Sequence, residues 1–443
     1  MRQRPRTLSR PVGPRNVESR SVESRKPVVF AALAAFLALG LTGGCARKEQ
    51  PKPAEGPSAL PLQTFARQWA TDLKLRNDPV RTLHVREQSV YVYTRRGRVA
   101  ALARDTGAIR YTFPVKNGRD KLFAPVVMND PVTISMQVPT LDTKQTTRVL
   151  SMTASAVVFP TTSTMEVYDR DTGKFIDSVD LPFAVTSNAV GSAGMAYVGG
   201  AVRASARASA VDITQPYVPV KWQLMVPGVG ITAGPALWQD AVFIGAEDGS
   251  VTAVTTAGRE PIWPLPGGVF KTGSAIVGDL SVDDECVYAS STDTKLYALN
   301  RNNGRIRWTY HSGATLRAGA AVTSDMVYQF APGRGLVAID KKAGKFNRDP
   351  LWVAEDATQF LAQDDRNAYV RRRDNAIVAR DKRTGEVKFT SRRRDLDVFG
   401  TNTLSEDGIV FAATKEGRVI AVRPILRPGV IGEMVEVDLT PVE

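Results

Sequence analysis

Residues 286–310 read CVYASSTDTKLYALNRNNGRIRWTY and form a pattern of three short β-strands joined by two turns. Apolar and polar residues alternate in the strands, as expected where each strand has one buried face. Asn303-Gly304 provides the positive φ angles that a tight hairpin turn requires. A unit of this size cannot bury its own apolar faces, so it needs neighbours of the same kind.

The same pattern recurs along the chain, with similar turns at fixed offsets. The spacing between copies is 40 to 45 residues, except for a first interval of 66 residues. A period of this length with several short strands is typical of a β-propeller blade. We therefore predict an all-β fold, an eight-bladed β-propeller of four-stranded antiparallel blades within residues 63–443. The eight equivalent positions are Leu102, Tyr168, Val211, Val254, Leu299, Ile339, Arg380 and Val422.

An aromatic residue follows the second turn in most copies, for example Tyr111 and Trp308. Large rings at one repeated position are expected to pack between adjacent blades. The eighth copy ends before this position. We predict that an N-terminal strand containing Trp69 completes it and closes the ring, which would remove the exposed sheet edges. Residues Glu433 to Leu439 are the alternative closing strand.

The long first interval indicates an insertion within residues 115–153, with the composition of an extended hairpin or loop. Long loops on a rigid scaffold often carry function. An insertion that binds no partner is an equally good interpretation.

The N-terminus has the features of an export signal. An Arg-rich start precedes an apolar run, Val28 to Leu41, that is shorter than a usual membrane span of about 20 residues. We predict a lipoprotein-type signal peptide over 1–44, lipid modification of Cys45, and a flexible Pro-rich tether over 45–62. An uncleaved membrane anchor is the alternative. Both interpretations place the rest of the chain outside the cytoplasm.

Composition excludes several classes of function. The formal net charge is +13, but residues 1–26 contain eight of the Lys and Arg residues and only two Glu, so the excess is largely a targeting feature. Nucleic acid is therefore not an expected partner. Cys45 and Cys286 are the only cysteines and there are two histidines, which argues against a cysteine- or histidine-based metal site. We expect Cys286 to pack in a strand as a small apolar residue.

Two arginine runs in the seventh copy are candidate partner-binding residues. An acidic partner or a phosphate-rich ligand would suit them, while a solvated basic face is the alternative interpretation. The runs are Arg371, Arg372 and Arg373, and Arg392, Arg393 and Arg394.

Residues 298–308, ALNRNNGRIRW, resemble the repeat of the pyrroloquinoline-quinone-type (PQQ-like) propeller family, which reads approximately A-x-D-x-x-T-G-x-x-x-W. That family contains quinone-dependent dehydrogenases and non-enzymatic scaffolds. The resemblance implies that a dehydrogenase would be a longer chain with an adjacent-cysteine disulfide and a calcium site. Because this chain has no adjacent cysteines, we expect no cofactor and no catalytic activity. A PQQ-dependent dehydrogenase-like quinoprotein is the alternative.

With its lipoprotein signal, the chain is similar to propeller lipoproteins of the outer-membrane barrel assembly machinery. In those proteins a mid-chain loop contacts the barrel-forming subunit, which implies Val229 and Ile231 here as partner-binding residues. We therefore expect a monomeric interaction scaffold for envelope proteins, tethered to the periplasmic face of the outer membrane. Ala46 after the cysteine favours the outer membrane. Anchoring in the inner membrane is the alternative.

Overall fold

The computed structural model describes residues 63–115, 120–139, 147–203, 205–215, 218–226, 230–258, 260–391 and 395–426. Within these ranges the chain forms eight antiparallel four-stranded sheets, the blades, and a separate two-stranded sheet. One blade has an additional short parallel strand at its edge. The prediction of an all-β, eight-bladed propeller is confirmed.

Strands are numbered in chain order, and blades 1 to 7 each come from one continuous part of the chain. Blade 1 comprises β2 (Val80–Arg86), β3 (Ser89–Thr94), β4 (Arg98–Ala103) and β5 (Ile109–Pro114), after β1 (Gln63–Asp72). Blade 2 comprises β6 (Val126–Val127), β9 (Ala156–Pro160), β10 (Thr164–Asp169) and β11 (Phe175–Asp180). The separate two-stranded sheet is inserted between β6 and β9 and comprises β7 (Val132–Pro139) and β8 (Thr147–Ala154). Blade 3 comprises β12 (Ala184–Ser192), β13 (Met195–Val202), β14 (Ser205–Asp212) and β15 (Val220–Val226). Blade 4 comprises β16 (Ala236–Trp238), β17 (Ala241–Gly245), β18 (Ser250–Thr255) and β19 (Val269–Lys271), with a 3-10 turn at Pro266–Gly268.

The remaining blades follow the same order. Blade 5 comprises β20 (Ser281–Val282), β21 (Cys286–Ser290), β22 (Lys295–Asn300) and β23 (Ile306–His311). Blade 6 comprises β24 (Ala321–Val322), β25 (Met326–Ala331), β26 (Gly335–Asp340) and β28 (Trp352–Ala354), and β27 (Asn347–Arg348) pairs with β23 of blade 5. Blade 7 comprises β29 (Ala357–Gln363), β30 (Asn367–Arg372), β31 (Ile377–Asp381) and β32 (Val387–Ser391). Blade 8 comprises β33 (Val398–Phe399), β34 (Val410–Ala413), β35 (Arg418–Leu426) and the N-terminal β1.

Strand β1 closes the ring, as the sequence predicted. It pairs antiparallel with β35 from Gln63–Leu426 to Asp72–Arg418, and a bulge near Trp69 shifts the register. The alternative closing segment, residues 433–439, lies outside the described residues. Strand pairing within blade 8 therefore joins the two ends of the propeller.

The eight equivalent positions of the sequence repeat lie on the third strand of each blade. The first strands are short, and four of them contain only two residues. Two residues cannot establish a period-two alternation, so the sequence pattern revealed only the later strands. First strands of neighbouring blades lie against one another and line the central channel.

Apolar packing joins each blade to the next and closes into a ring. The described residues form eight buried clusters, each drawn from two neighbouring blades. One cluster combines Leu83 and Val92 of blade 1 with Phe411 of blade 8, across the closure. The core is thus distributed over the interfaces between blades.

The predicted aromatic residues lie in these interfaces. Four of them pack against the turn between the third and fourth strands of the next blade, where a glycine has a positive φ of 67 to 75°. A Cβ on these glycines would come within 2.2 to 2.5 Å of the ring. The three indole nitrogens in this group donate to carbonyl oxygens of the same turns at 2.8 to 3.0 Å. The pairs are Trp69 with Gly107, Tyr111 with Gly173, Trp263 with Gly304, and Trp352 with Gly385.

The inserted two-stranded sheet packs on blade 3. Val132 and Ile134 are buried, and the amide of Ser135 donates to the carbonyl of Thr214 at 3.3 Å. Its other face is polar, with paired hydroxyls of Thr133 and Thr153 at 2.8 Å. None of the helices in the described part of the chain has the length and apolar composition of a membrane span.

Candidate functional surface

The propeller has two faces with different loops. Face 1 carries the segments that join successive blades and the turns between second and third strands. Face 2 carries the turns between first and second strands and those between third and fourth strands, because antiparallel strands reverse at each turn. The inserted β7–β8 sheet belongs to face 2, since it follows the first strand of blade 2. Of the partner-binding residues predicted from sequence, the described ones, Ile231 and Arg371 to Arg373, belong to face 1.

The predicted apolar loop lies between blades 3 and 4. Ile231 is buried at 1% exposure, and its carbonyl accepts a hydrogen bond from the Thr186 hydroxyl at 2.6 Å. Its Cγ2 atom packs so closely on Gly199 that a Cβ there would lie 2.3 Å away. Ile231 therefore fixes the loop to blade 3 with its side chain enclosed. Val229 lies outside the described residues.

The first arginine run lies at the turn between β30 and β31, where its side chains have different environments. The Arg371 guanidinium lies 4.9 Å from the Phe399 ring centre and donates to the Asn375 side chain, and burial lowers the pKa of Arg371. Arg372 donates to Asp374 at 2.8 Å, and this contact holds the pKa of the Asp374 carboxyl below its usual range. Arg373 is exposed and donates to the Glu355 carbonyl at 3.4 Å. The structure therefore does not gather these three charges into one patch.

The second run, Arg392 to Arg394, lies outside the described residues, as does Cys45. Their proposed roles remain predictions. Cys286 is buried at 2% exposure in β21, and burial together with the nearby Asp283 carboxylate raises the pKa of its thiol to about 11. This thiol is therefore protonated at neutral pH and packed as an apolar group.

A chain of hydrogen bonds connects blades 2 to 5 near the axis of the channel. The amide of Ala124 donates to Asn188 at 3.1 Å, and the Asn188 side chain donates to Asp279 at 2.6 Å. The other Asp279 oxygen accepts from the amide of Gly234 at 2.7 Å. Both carboxylate oxygens of Asp279 are therefore used in holding four blades together.

Two cavities lie along the first strands, and the hydrogen-bonded residues Asn188 and Asp279 contribute to one cavity each. A cavity of about 530 Å³ is lined by blades 1 to 3 and the segment before blade 4, including Asn188. A second cavity of about 630 Å³ is lined by Arg86, Asp279 and Arg317 together with Thr401 and Thr403. Sequence reasoning missed these residues, because isolated polar residues on short first strands form no motif.

His84 lies in the first cavity as a neutral side chain. Burial, with a smaller contribution from the Arg86 charge, lowers its pKa to about 3. Its ring lies 4.9 Å from that of Tyr93. His84 therefore stays uncharged at physiological pH and adds no positive charge to the cavity.

The channel does not fit the calcium-bound quinone of the dehydrogenases in this repeat family. Calcium takes six to eight oxygen ligands, largely carboxylate and carbonyl groups. The described residues contain no group of three or more His, Cys, Asp or Glu side chains placed to hold a metal ion. Asp279 contributes a carboxylate, but both of its oxygens already accept hydrogen bonds.

Comparison with known proteins gives results at two levels. A family model described as outer membrane protein assembly factor BamB matches residues 59–310, 168–348 and 311–426. Among solved structures, BamB from Moraxella catarrhalis is similar with a TM-score of 0.57 and 16% identity, covering 81% of this chain and 98% of that chain. The computationally designed Ika8 protein is similar with a TM-score of 0.54 and 15% identity, covering 80% and 98%. No curated protein matches the chain.

Proposed function

Because the chain belongs to the outer membrane protein assembly factor BamB family, we propose that it is a non-catalytic interaction scaffold of the bacterial cell envelope that takes part in outer-membrane protein assembly. The observation that carries this proposal is the family match, which extends over residues 59–426 and so includes all eight blades. A propeller provides a rigid ring from which loops can contact other proteins.

The proposed contact surface is face 1. Buried Ile231 fixes the end of the segment before blade 4, and Val229, two residues earlier in the sequence, is the proposed contact residue. Arg373 is the exposed member of its arginine run on the same face. A partner that contacts both would cover the turn of blade 7 and the loop before blade 4.

The proposal includes attachment to the membrane through Cys45. The sequence LTGGC at residues 41–45 supports lipid modification of this cysteine, and more than one acyl chain is needed for stable anchoring. Ala46 favours the periplasmic face of the outer membrane. Labelling with a radioactive fatty acid should mark the native chain and leave Cys45→Ala unlabelled. Equal labelling of both would refute the lipoprotein assignment.

Site-specific photocrosslinking in intact cells tests the scaffold proposal. A photoreactive residue at Val229 or at Arg373 should capture defined envelope proteins, including components of the barrel assembly machinery. The same residue at Lys174 or Lys342, both exposed on turns of face 2, is the matched control. Equal capture from both faces would contradict a partner surface on face 1. Oxidation of alcohols with an artificial electron acceptor, dependent on added quinone and calcium, would instead favour the quinoprotein alternative.

A further inference from the structure

The turn between the second and third strands of blade 1 differs in charge from most equivalent turns. The residue before the positive-φ position is acidic in blades 4, 5, 7 and 8, whereas blade 1 has Arg96 before Gly97. Blade 6 has Arg334, which donates to the Ser312 carbonyl at 3.1 Å. The acidic residues are Asp248, Asp293, Asp374 and Glu416.

The acidic residue has a structural role that blade 1 fills in another way. Asp248 and Asp293 each accept a hydrogen bond from the amide two residues later, at 2.9 and 3.0 Å. In blade 1 the Thr94 hydroxyl accepts from the amide of Arg98 at 3.0 Å and donates to Asp78 at 2.6 Å. Asp78 also accepts from the amide of Arg96 at 2.8 Å. Buried Asp78 thus stabilises the turn through its hydrogen bonds with Thr94 and Arg96. The exposed positions of the turn, Arg95 and Arg96, are basic.

This basic turn borders the 530 Å³ cavity, which contains three cations from separate segments. Arg81 lies near the start of β2, Arg95 lies in the turn, and Lys121 lies in the segment that joins blades 1 and 2. All three are exposed, and none makes an ion pair with another described residue. Lys121 lies 4.4 Å from the Phe123 ring centre.

The charge balance of the lining is positive. Asp120 is the carboxylate among the lining residues and His84 is neutral, so the three cations leave an excess of two positive charges in the lining itself. The carboxylates of Asp78 and Glu247 adjoin the lining through hydrogen bonds from Thr94 and Thr232. Exposed cations elsewhere on the described surface include paired ones, such as Lys271 with Asp248 and Arg372 with Asp374, and others, such as Lys174 and Arg305, that make no ion pair with a described residue. An excess of unpaired cations around a concave site favours an anionic ligand.

We propose that this cavity binds a phosphate group, either of a soluble phosphate ester or of a phospholipid headgroup. A phosphomonoester carries up to two negative charges and a phosphodiester carries one, and both have more acceptor oxygens than a carboxylate, so a phosphate group can engage several cations at once. The Thr82 hydroxyl, 3.3 Å from His84 Nε2, lines the same cavity and is a potential donor, whereas the Thr232 hydroxyl already donates to Glu247 at 3.0 Å. The volume lies within the usual range for small-ligand sites, about 300–1,000 Å³.

Titration of the purified full-length protein tests the site at physiological salt. The probes are inorganic pyrophosphate, the short-chain lipid dihexanoyl phosphatidylglycerol, and dihexanoyl phosphatidylcholine as the zwitterionic lipid control. We expect saturable binding of pyrophosphate or phosphatidylglycerol, with affinity reduced about tenfold or more in the variant Arg81→Gln, Arg95→Gln, Lys121→Gln. Which of the two probes binds more tightly identifies the source of the phosphate.

The matched control removes three exposed cations from face 2, with the changes Lys174→Gln, Arg305→Gln and Lys342→Gln. It should bind the same probe within about twofold of the native protein, because the net charge change is identical and the cavity is intact. Equal loss in both variants, or no binding to the native protein, would overturn the proposal. So would tighter binding of polyglutamate than of phosphate with the same variant dependence, which would assign the cavity to an acidic peptide. If the triple variant does not fold, the single variant Arg95→Gln, which changes an exposed turn residue, is titrated in its place.

Discussion

At the residue scale, packing of an aromatic ring on a turn glycine is the contact that repeats between blades. Gly304 has a φ of 69°, and a Cβ there would lie 2.5 Å from the Trp263 ring. Gly313 has a similar φ of 72° with no atom within 4 Å of a Cβ. We predict that Gly313→Ala lowers the free energy of unfolding by about 1–2 kcal/mol, from backbone strain alone.

For Gly304→Ala we expect the same strain and, in addition, displacement of the indole, which costs a further ~1–3 kcal/mol. Urea denaturation followed by far-ultraviolet circular dichroism measures both variants. Equal losses would show that ring packing on the turn contributes little to stability. The aromatic positions could be predicted from sequence because they repeat. The glycine that each ring contacts lies 33 to 62 residues away and could not be identified without the arrangement of the blades.

At the element scale, the turns between third and fourth strands also connect blades through charge. The first residue of these turns pairs with an acidic residue on the preceding blade in several copies. The Lys382 ammonium lies 3.0 Å from Asp325, with side-chain exposures of 7% and 17%. Comparable pairs are Arg104 with Asp407, Arg170 with Glu87, and Lys341 with Asp283.

We predict that Lys382→Met destabilises the propeller by roughly 3 kcal/mol, because it leaves a largely buried carboxylate with less compensation. Arg383 lies 3.7 Å from Asp325 and still offsets part of its charge. The expected loss is therefore at the low end of the range for a broken buried pair, about 3–5 kcal/mol. The control is Lys345→Met, which removes an exposed pair with Asp349 and should cost about 0–1 kcal/mol. Equal effects in urea denaturation would contradict the role assigned to burial.

The same pair predicts a pH dependence. Burial of Asp325 opposes ionisation, but hydrogen bonds from Lys382 and Gln363 outweigh it and lower the pKa of the carboxyl. The stabilisation is therefore fully present above the pKa of an unfolded Asp, about 3.9, and is lost as the pH falls through the lower folded value. The difference in unfolding free energy between the native protein and Lys382→Met should shrink in that acidic window. A difference that stays constant would contradict this linkage.

The strands and the candidate site differ in how far the sequence could predict them. Alternation over five or six residues identified the second, third and fourth strands, whereas two-residue first strands gave no signal. The arginine run 371–373 suggested a patch because it is contiguous, but successive residues of a strand point to opposite faces, which separates Arg371 from Arg372. The cavity cations come from segments up to 40 residues apart, so their proximity depends on the blades.

At the scale of the whole molecule, the N-terminal strand β1 closes the ring through noncovalent contacts. Trp69 in β1 is 7% exposed, packs with Phe411 at a centroid distance of 6.0 Å, and donates to the Arg104 carbonyl of blade 1. Strand β1 therefore completes blade 8 and also contacts blade 1. We predict that deletion of residues 63–72 lowers the melting temperature by roughly 10 °C, since loss of one buried Trp costs about 3–5 kcal/mol.

Deletion of residues 47–56 is the control, because it removes ten residues from the predicted tether and leaves β1 intact. Its melting temperature should match that of the native protein, as measured by calorimetry. If the 63–72 deletion also melts normally, another segment closes the ring, and residues 433–439 are the alternative that the sequence provides. A further deletion of 433–439 in that background would then lower the melting temperature. Closure by β1 instead predicts that this second deletion has little further effect, because the edge of β35 is already unpaired.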